Sequence, residues 1–473
     1  MKKNNKKILI LGAGISGLAA GWQLSEKGFK VVILDSSNQI GGLSTSFEHN
    51  GFLLDYGPHK IYTQLDEVLE EIKNLLGQDL CAHKKRSSVY LENRFFSYPF
   101  KMSELICGLR FGVALQCFGG FLATFLKKVG RRKEIITYED YVIDRFGRPL
   151  YNLVFKPLAN KIWGEPRKIS YILAEKRIPI PNMAQLIMNT LIKKDSNSPQ
   201  IDAKVFYYPA QGIRQLVEAM QKRIMQNGGK ILLNSRIRAI NLDRRELKSL
   251  IFEQQGQERQ EDFGFLISTI PIGEAIRLIT PKFNGKILAA AEKLKFRSVL
   301  LVYIVLNKNR VIDDHWIFFP EEKFLFNRLF EQKSFSENMS PKDKTVLCLD
   351  LTYEKNGPMD TMDEKVFCEK VIQQLEDIGL IERKDVLEYF TYRRENVYPM
   401  YDLEYQNNLQ ILLDAEATMD NFFLLGRLGL FNYNNMDHCI DMGLKMARFL
   451  NGGSTKEEWA RFRKGFEKYQ IVD

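Results

Sequence analysis

Residues 7–35 read KILILGAGISGLAAGWQLSEKGFKVVILD, and this stretch decides the fold. The apolar runs at 8–11 and 31–34 have no polar interruption, which is typical of parallel strands covered on both faces. Between them, apolar residues at helical spacing over 18–27 predict a helix that stops at Gly28. The stretch therefore predicts a strand, a helix and a second parallel strand, with a glycine-rich turn after the first strand.

The turn has the spacing GxGxxG at Gly12, Gly14 and Gly17. In a dinucleotide-binding turn the first glycine permits the tight turn, the second leaves room for a pyrophosphate, and the third lets helix and strand approach closely. Ile15 and Ser16 open the following helix, whose free N–H groups and positive dipole end suit phosphate oxygens. We therefore predict that these five residues bind a dinucleotide; the alternative is an ordinary glycine turn.

Asp35 ends the second strand, eighteen residues after Gly17. A carboxylate at the end of this strand accepts a hydrogen bond from a ribose hydroxyl in dinucleotide-binding folds. Asp35 is therefore a predicted cofactor ligand, and its position favours the dinucleotide interpretation of the turn over the ordinary one.

Three further strings resemble the flavin amine oxidase superfamily: QIGGLSTSF at 39–47, GFLLDYGPH at 51–59 and GRLGLFNYNNMDHCI at 426–440. The last string resembles the C-terminal flavin-binding segment of UDP-galactopyranose mutases and protoporphyrinogen-oxidase-like proteins. The resemblance implies that the cofactor is FAD, because a nicotinamide domain needs only the GxGxxG turn. Beyond that turn, the implied FAD-binding residues are Gly41, Gly42, Leu43, Ile237, Gly426, Arg427, Met436 and Asp437.

Other segments resemble the mutases in particular: 156–179, 206–216, 326–335 and 395–405. The resemblance implies that Arg177 and Arg328 bind a substrate diphosphate, with Tyr398 and Tyr433 as hydroxyl donors. Two further candidates each have a functional and a structural alternative. Trp163 either stacks on a ring of the substrate or is a core aromatic residue, and His59 either lies at the flavin edge or is a buried hydrogen-bonded histidine.

The sequence also departs from the mutases. Gln39 and Leu43 stand where mutases usually have His and Asn, and 180–204 has no aromatic loop but reads as a helix followed by a polar loop. These departures concern the sugar and the mutase reaction, and they leave the flavin site untouched.

Three functions follow from the resemblance. The first is an FAD-dependent oxidoreductase in which a small-molecule substrate passes a hydride to flavin N5, on a nucleotide-sugar or another diphosphate-bearing precursor of an envelope or polysaccharide. The second is a mutase-like isomerase without net redox change, and a third is a desaturase or protoporphyrinogen-oxidase-like enzyme on an apolar substrate. A non-enzymatic alternative is a flavoprotein that acts as a binding scaffold.

Length and composition bound the remaining possibilities. The chain has 473 residues, 45% apolar and 27% charged, which is ordinary globular composition and suits two to three domains. The net charge is +10, but the basic residues form no stripe interleaved with aromatic residues, so we expect no nucleic-acid partner. The six cysteines form no CxxC pair and the histidines lack ligand spacing, so we expect no metal site.

The predicted fold class is α/β, with a Rossmann-like FAD-binding domain built from discontinuous segments and an α+β substrate domain. The FAD-binding segments are 1–80, 205–290 and 391–455, and the substrate domain comprises a mainly helical insert at 81–204 and a β-sheet at 291–390. Residues 456–473 are left as a C-terminal tail. The basic N-terminus lacks the uninterrupted apolar stretch of a secretion signal, so we expect a cytoplasmic protein.

Residues 105–126 are almost wholly apolar, and five basic residues follow at 127, 128, 131, 132 and 133. Arg110 and four glycines argue against a membrane-spanning helix. Two interpretations are open: a buried helical hairpin, or peripheral attachment through 105–133 to the inner face of the membrane, with the basic cluster against anionic headgroups.

Overall fold

The computed structural model describes residues 6–98, 104, 108–127, 134–178, 205–453 and 455–471. Its helices of seven residues or more are α1 (Ile15–Glu26), α2 (Asp66–Leu76), α3 (Phe111–Lys127), α4 (Tyr138–Phe146), α5 (Lys156–Ile162), α6 (Tyr171–Arg177), α7 (Arg214–Gln226), α8 (Ile272–Leu278), α9 (Gly285–Lys293), α10 (Glu364–Asp377), α11 (Tyr405–Ala417), α12 (Met436–Gly452) and α13 (Lys456–Arg463).

The strands are β1 (Lys7–Leu11), β2 (Lys30–Leu34), β3 (Ser46–His49), β4 (Phe52–Asp55), β5 (Leu80–Lys84), β6 (Ser87–Leu91), β7 (Arg94–Ser97), β8 (Val205–Pro209), β9 (Lys230–Leu232), β10 (Ser235–Asp243), β11 (Glu246–Gln254), β12 (Gln257–Asp262), β13 (Phe265–Ser268), β14 (Ile279–Thr280), β15 (Phe296–Leu306), β16 (Trp316–Phe318), β17 (Arg328–Glu331), β18 (Thr345–Tyr353), β19 (Val386–Pro399) and β20 (Phe422–Leu424).

A five-stranded parallel sheet in the order β20-β13-β1-β2-β9 forms the first core. Its strands come from three distant parts of the chain, as the discontinuous Rossmann-like prediction requires. Helix α1 is buried from Ile15 to Ser25 because it lies between this sheet and α12. The two helices approach closely at Gly443, where a Cβ atom would lie 2.7 Å from the Ala19 Cβ. The predicted α/β fold class is confirmed.

A seven-stranded sheet in the order β19-β15-β18-β17-β16-β6-β7 forms the second unit. On β15, alternate side chains point to opposite faces. Val299, Leu301 and Tyr303 join the core shared with the first sheet, whereas Leu300 and Val302 join a separate core that contains α10 residues. One face of this sheet therefore points towards the dinucleotide-binding turn.

Three features differ from the sequence prediction. The insert at 81–204, expected to be mainly helical, begins instead with strands: β6 and β7 pair with each other and join the seven-stranded sheet. Strand β19 runs through the proposed boundary at 390. The segment left as a C-terminal tail forms α13, and Trp459 and Phe466 there are buried. The helix and loop expected at 180–204 lie outside the described residues.

Candidate active site

The three glycine-containing segments meet at one place. The Gly41 N–H donates to the Ala13 carbonyl at 2.8 Å, and Gly14 and Gly41 form a parallel bridge. A Cβ atom on Gly426 would lie 2.5 Å from the Ser16 Oγ, so the C-terminal segment also packs on the turn. Segments separated by hundreds of residues therefore form a single cradle at the end of β1.

The cradle has room for a phosphate group at its centre. A Cβ atom on Gly17 would lie 2.0 Å from the Gly12 carbonyl oxygen, whereas a Cβ atom on Gly14 would meet nothing within 4 Å. Helix α1 begins at this open space without a side-chain cap and without an acidic residue in its first turn. Its N–H groups are thus available for a pyrophosphate.

Asp35 lies beside the turn and fixes it. Its carboxylate accepts hydrogen bonds from the Ala13 N–H at 2.6 Å, and from the N–H and hydroxyl of Ser37 at 2.8 and 2.5 Å. The Ser235 N–H donates to the Asp35 carbonyl at 2.8 Å, which places Ile237, two residues further along β10, close to the same site. Asp35 therefore orders the turn in addition to its predicted contact with a ribose.

Replacing Asp35 with alanine is expected to weaken FAD binding by about 1–3 kcal/mol, because the Ala13 and Ser37 donors lose their half-buried charged acceptor and the ribose loses its predicted partner. The measurement is a titration of the apoprotein with FAD. Asp377→Ala, which removes an acid at the end of α10, is the control and should leave the affinity unchanged. Equal affinities in the wild type and Asp35→Ala would contradict the assigned role.

The C-terminal segment supplies a second part of the cradle. Gly426 has a φ of 78°, a left-handed conformation that favours glycine. The Arg427 guanidinium donates to the carbonyls of Asn434 at 3.1 Å and Val397 at 3.2 Å, so it links this segment to β19. Met436 and Asp437 then open α12.

Asp437 carries an unmet hydrogen-bonding group. Its Oδ1 atom is buried and has no hydrogen-bond partner, and burial raises the pKa of the carboxyl group. A buried carboxylate oxygen without a donor is costly unless a ligand hydroxyl or N–H approaches it. The residues present fit FAD: the open glycine cradle suits the pyrophosphate, Asp35 the ribose, and Asp437 a hydroxyl-bearing chain.

Four of the predicted substrate residues form one cluster. The Arg177 Cζ lies 5.9 Å from the ring centre of Trp163 and 5.7 Å from that of Tyr433. The Tyr433 ring stacks on Tyr398 at 5.4 Å, and its hydroxyl lies 3.3 Å from the Trp163 Nε1. Burial raises the pKa of Tyr433 to about 12, so its hydroxyl stays protonated at neutral pH.

Arg328 lies on the seven-stranded sheet and is paired with an acid. Its Nε and Nη2 atoms donate to the Asp350 Oδ2 at 2.8 and 2.5 Å. Two residues further along β18, the Thr352 hydroxyl lies 2.9 Å from the Ile162 carbonyl, next to Trp163. Asp350 therefore neutralises part of the Arg328 charge, and Arg328 lies on the sheet face that carries Thr352, which contacts the chain just before Trp163.

His59 belongs to a buried network around Asp55. Its Nδ1 lies 3.6 Å from the Asp55 Oδ2, and the hydroxyls of Ser46 and Tyr208 donate to the same carboxylate at 2.6 Å each. Burial and the neighbouring Asp55 raise the pKa of Tyr208 well above its usual value. The His59 Nδ1 atom is buried beside this network without a hydrogen-bond partner among the described residues, and the place of His59 at the flavin edge stays a prediction.

Two further candidate site residues were not predicted from the sequence. Arg297 and Arg394 lie on the face of the seven-stranded sheet that points to the cradle, and the Nε atom of each is buried without a hydrogen-bond partner. The Arg394 Cζ lies 3.7 Å from the centre of the Tyr56 ring. Residues 391–399 read TYRRENVYP, and their alternation predicts a strand with Arg394 on one of its two faces. Alternation alone does not tell which face of a strand the cofactor domain covers.

A Rossmann-like cradle, an acid at the end of its second strand and a C-terminal segment packed on the same turn are the features expected of a flavin-binding enzyme. Residues 10–75 match the NAD(P)-binding Rossmann-like domain, and residues 139–400 match the flavin containing amine oxidoreductase family. The chain belongs to the flavin containing amine oxidoreductase family. It is an FAD-dependent oxidoreductase, and the predicted superfamily and cofactor are confirmed.

Individual relatives are more distant. A 4,4'-diapophytoene desaturase (4,4'-diapolycopene-forming) from Methylomonas sp is 23% identical over 376 residues, which cover 71% of this chain and 68% of that protein. The structure of a reduced UDP-galactopyranose mutase has a TM-score of 0.83 at 22% identity, covering 99% of this chain and 100% of that one. A putative protoporphyrinogen oxidase from Exiguobacterium sp. 255-15 has a TM-score of 0.72 at 17% identity, covering 95% and 99%. These two structures show a shared fold.

Proposed function

We propose that this enzyme oxidises a small-molecule substrate that carries a diphosphate or a similarly dense anionic group, such as a nucleotide-sugar or another envelope or polysaccharide precursor. The observation that carries the proposal is the clustering of arginines on the side of the substrate sheet that points to the FAD cradle. Bound FAD supplies the hydride acceptor at N5. The residues of the chain bind and orient the substrate.

The register of the sheet defines this arrangement. Arg328 pairs with Asp350, Asp350 pairs with Leu301, and the side chains at paired positions share a face. Arg394 pairs with Val299, which lies two residues before Leu301 on the same face. The positive charges therefore lie around an apolar centre, and this pattern suits a substrate with an anionic end and a less polar body.

The chemistry of the individual groups fits a diphosphate. A guanidinium group donates two parallel hydrogen bonds to phosphate oxygens, and a phenol adds a neutral donor without further charge. The Arg177 guanidinium group lies over the rings of Trp163 and Tyr433, and these flat aromatic surfaces hold it beside the two tyrosine hydroxyls of the cluster. The Asp350 carboxylate fixes the orientation of the Arg328 guanidinium group.

A mutase-like isomerisation is the second candidate function. It is favoured by the combination of Arg177, Trp163 and the stacked Tyr398–Tyr433 pair in a fold shared with a UDP-galactopyranose mutase over nearly the whole chain. An apolar substrate, as the name of the desaturase relative would suggest, is disfavoured because it would leave the buried Nε atoms of Arg297 and Arg394 without a hydrogen-bond acceptor.

Arg328→Lys is expected to weaken diphosphate binding about tenfold, because an ammonium group cannot reproduce the two-pronged contact. The flavin spectrum should stay unchanged. The measurement is a titration of the flavin absorbance with UDP, UDP-sugars and inorganic diphosphate, in the oxidised and the dithionite-reduced protein. Arg393→Lys is the matched control, because Arg393 also pairs with an acid, Glu364, through a hydrogen bond of 2.9 Å on β19.

The titration separates the candidate functions. A spectral response that weakens in Arg328→Lys and not in Arg393→Lys supports the diphosphate proposal. The absence of any response in both oxidation states of the wild type contradicts it and favours an apolar substrate. Binding that tightens on reduction, with product formed and no electron acceptor consumed, favours the mutase reaction over oxidation.

A further inference from the structure

We propose that helix α3 docks the enzyme onto the surface of an anionic lipid bilayer. The inference does not depend on the substrate proposed above. It rests on an outward apolar stripe, on the anchoring of the opposite side of the helix, and on the charge of the surrounding sequence.

The apolar stripe consists of Phe111, Leu115, Phe118 and Leu122, which are 83%, 58%, 50% and 40% exposed. Their spacing of four, three and four residues puts them on one side of the helix. Large apolar side chains are common singly on protein surfaces, but a continuous row of four indicates a surface that meets another apolar phase. The interpretation of this region as a fully buried hairpin is therefore wrong for these four residues.

The opposite side of α3 is fixed to the substrate domain. Val113 and Ala114 pack against a small core that contains Phe96 and Leu109. A Cβ atom on Gly120 would lie 2.5 Å from the Pro149 Cδ, so the helix lies directly on the chain that follows α4. Because this side is packed, rotation of the helix cannot bury the stripe without breaking these contacts.

The charge pattern favours a bilayer over a protein surface. Residues 105–133 contain six basic residues and no acidic residue, and residues 111–126 contain no charge at all. Arg110, just before the stripe, has a side chain that is 84% exposed and forms an ion pair with Glu92 at 3.2 Å. An uncharged helix face within a basic segment is typical of helices that insert apolar side chains below anionic headgroups.

The attachment is peripheral. Among the described residues, no helix is both long enough and apolar enough to cross a membrane. The stripe occupies only one side of α3, so the helix would lie along the membrane surface with its packed side towards the protein.

The test is flotation of the full-length, FAD-loaded protein with vesicles. Phosphatidylglycerol–phosphatidylethanolamine vesicles are compared with pure phosphatidylcholine vesicles, at low and high salt. In Phe111→Gln/Phe118→Gln the bound fraction should fall about tenfold, because two large apolar anchors are lost. The matched control is Met225→Gln/Val366→Gln, which changes exposed apolar residues on α7 and α10 and should bind like the wild type.

The outcomes decide between lipid and protein as the occupant. The proposal is supported if the wild type floats with anionic vesicles and high salt reduces the bound fraction. The stripe variant should lose this binding while its flavin spectrum and melting temperature stay those of the wild type. Equal binding of the stripe variant and the wild type overturns it, as does the absence of flotation. The surface belongs to a second copy of the chain instead if the wild type does not bind vesicles, forms a dimer in the absence of lipid, and the stripe variant is a monomer.

Discussion

Gly17→Ala is expected to abolish FAD binding and to destabilise the FAD-binding domain. The added Cβ atom would lie 2.0 Å from the Gly12 carbonyl oxygen and 3.3 Å from the Ile10 Cγ2. The closest atom belongs to the backbone of the turn, so it cannot move aside as a flexible side chain would. Because α1 would have to move away from β1, we expect a loss of about 3 kcal/mol or more in the free energy of unfolding. Urea unfolding and flavin content are the measurements.

Gly14→Ala is the matched control within the same turn. Gly14 has a φ of −71°, and a Cβ atom there would meet nothing within 4 Å, so the apoprotein should unfold at the same urea concentration as the wild type. The methyl group would nevertheless enter the space assigned to the pyrophosphate, so FAD affinity should fall. A Gly17→Ala variant with normal stability and flavin content would contradict the close-packing role, and a Gly14→Ala variant with normal FAD affinity would move the pyrophosphate elsewhere.

Glu416→Gln is expected to reduce the free energy of unfolding by about 3–5 kcal/mol, because it leaves two buried cations without their shared anion. Glu416 is fully buried at the end of α11 and pairs with Lys456 and, at 3.0 Å, with Arg463. Burial lowers the pKa of Lys456 in spite of this acid. The two ion pairs and the buried Trp459 hold α13 on the FAD domain.

The loss should reach the substrate site as well. The Lys176 Nζ, next to Arg177 in sequence, donates to the Asn432 Oδ1 at 3.1 Å and to the Glu467 carbonyl at 2.7 Å. The chain after α13 thus supports the helix that positions Arg177. Glu382→Gln is the control, because it breaks an exposed ion pair with Lys384 that water already screens, so the urea midpoint should stay close to that of the wild type. Equal urea midpoints in both variants would show that the buried triad does not stabilise the fold.

The sequence by itself determined the dinucleotide-binding unit and its cofactor. Strand, turn and helix at 7–35 are local, and the glycine spacing has one stereochemical explanation: Gly17 touches the turn backbone, and Gly14 faces open space. The paired glycines and the string at 426–440 were assigned to the same cofactor by resemblance, and the structure brings them to the same turn.

Only the tertiary structure decided which residues surround the substrate site and which helix face is exposed. Asp350 faces Arg328 because of the pairing of β17 with β18, and Arg394 faces the cradle because of the register of β19 on β15. A one-residue shift in either register would turn these side chains to the other face. Likewise the apolar run at 105–126 is equally compatible with a core helix and a surface helix, and the contact of Gly120 with Pro149 fixes which side points outward. Local periodicity sets secondary structure, whereas long-range pairing sets the environment of each side chain.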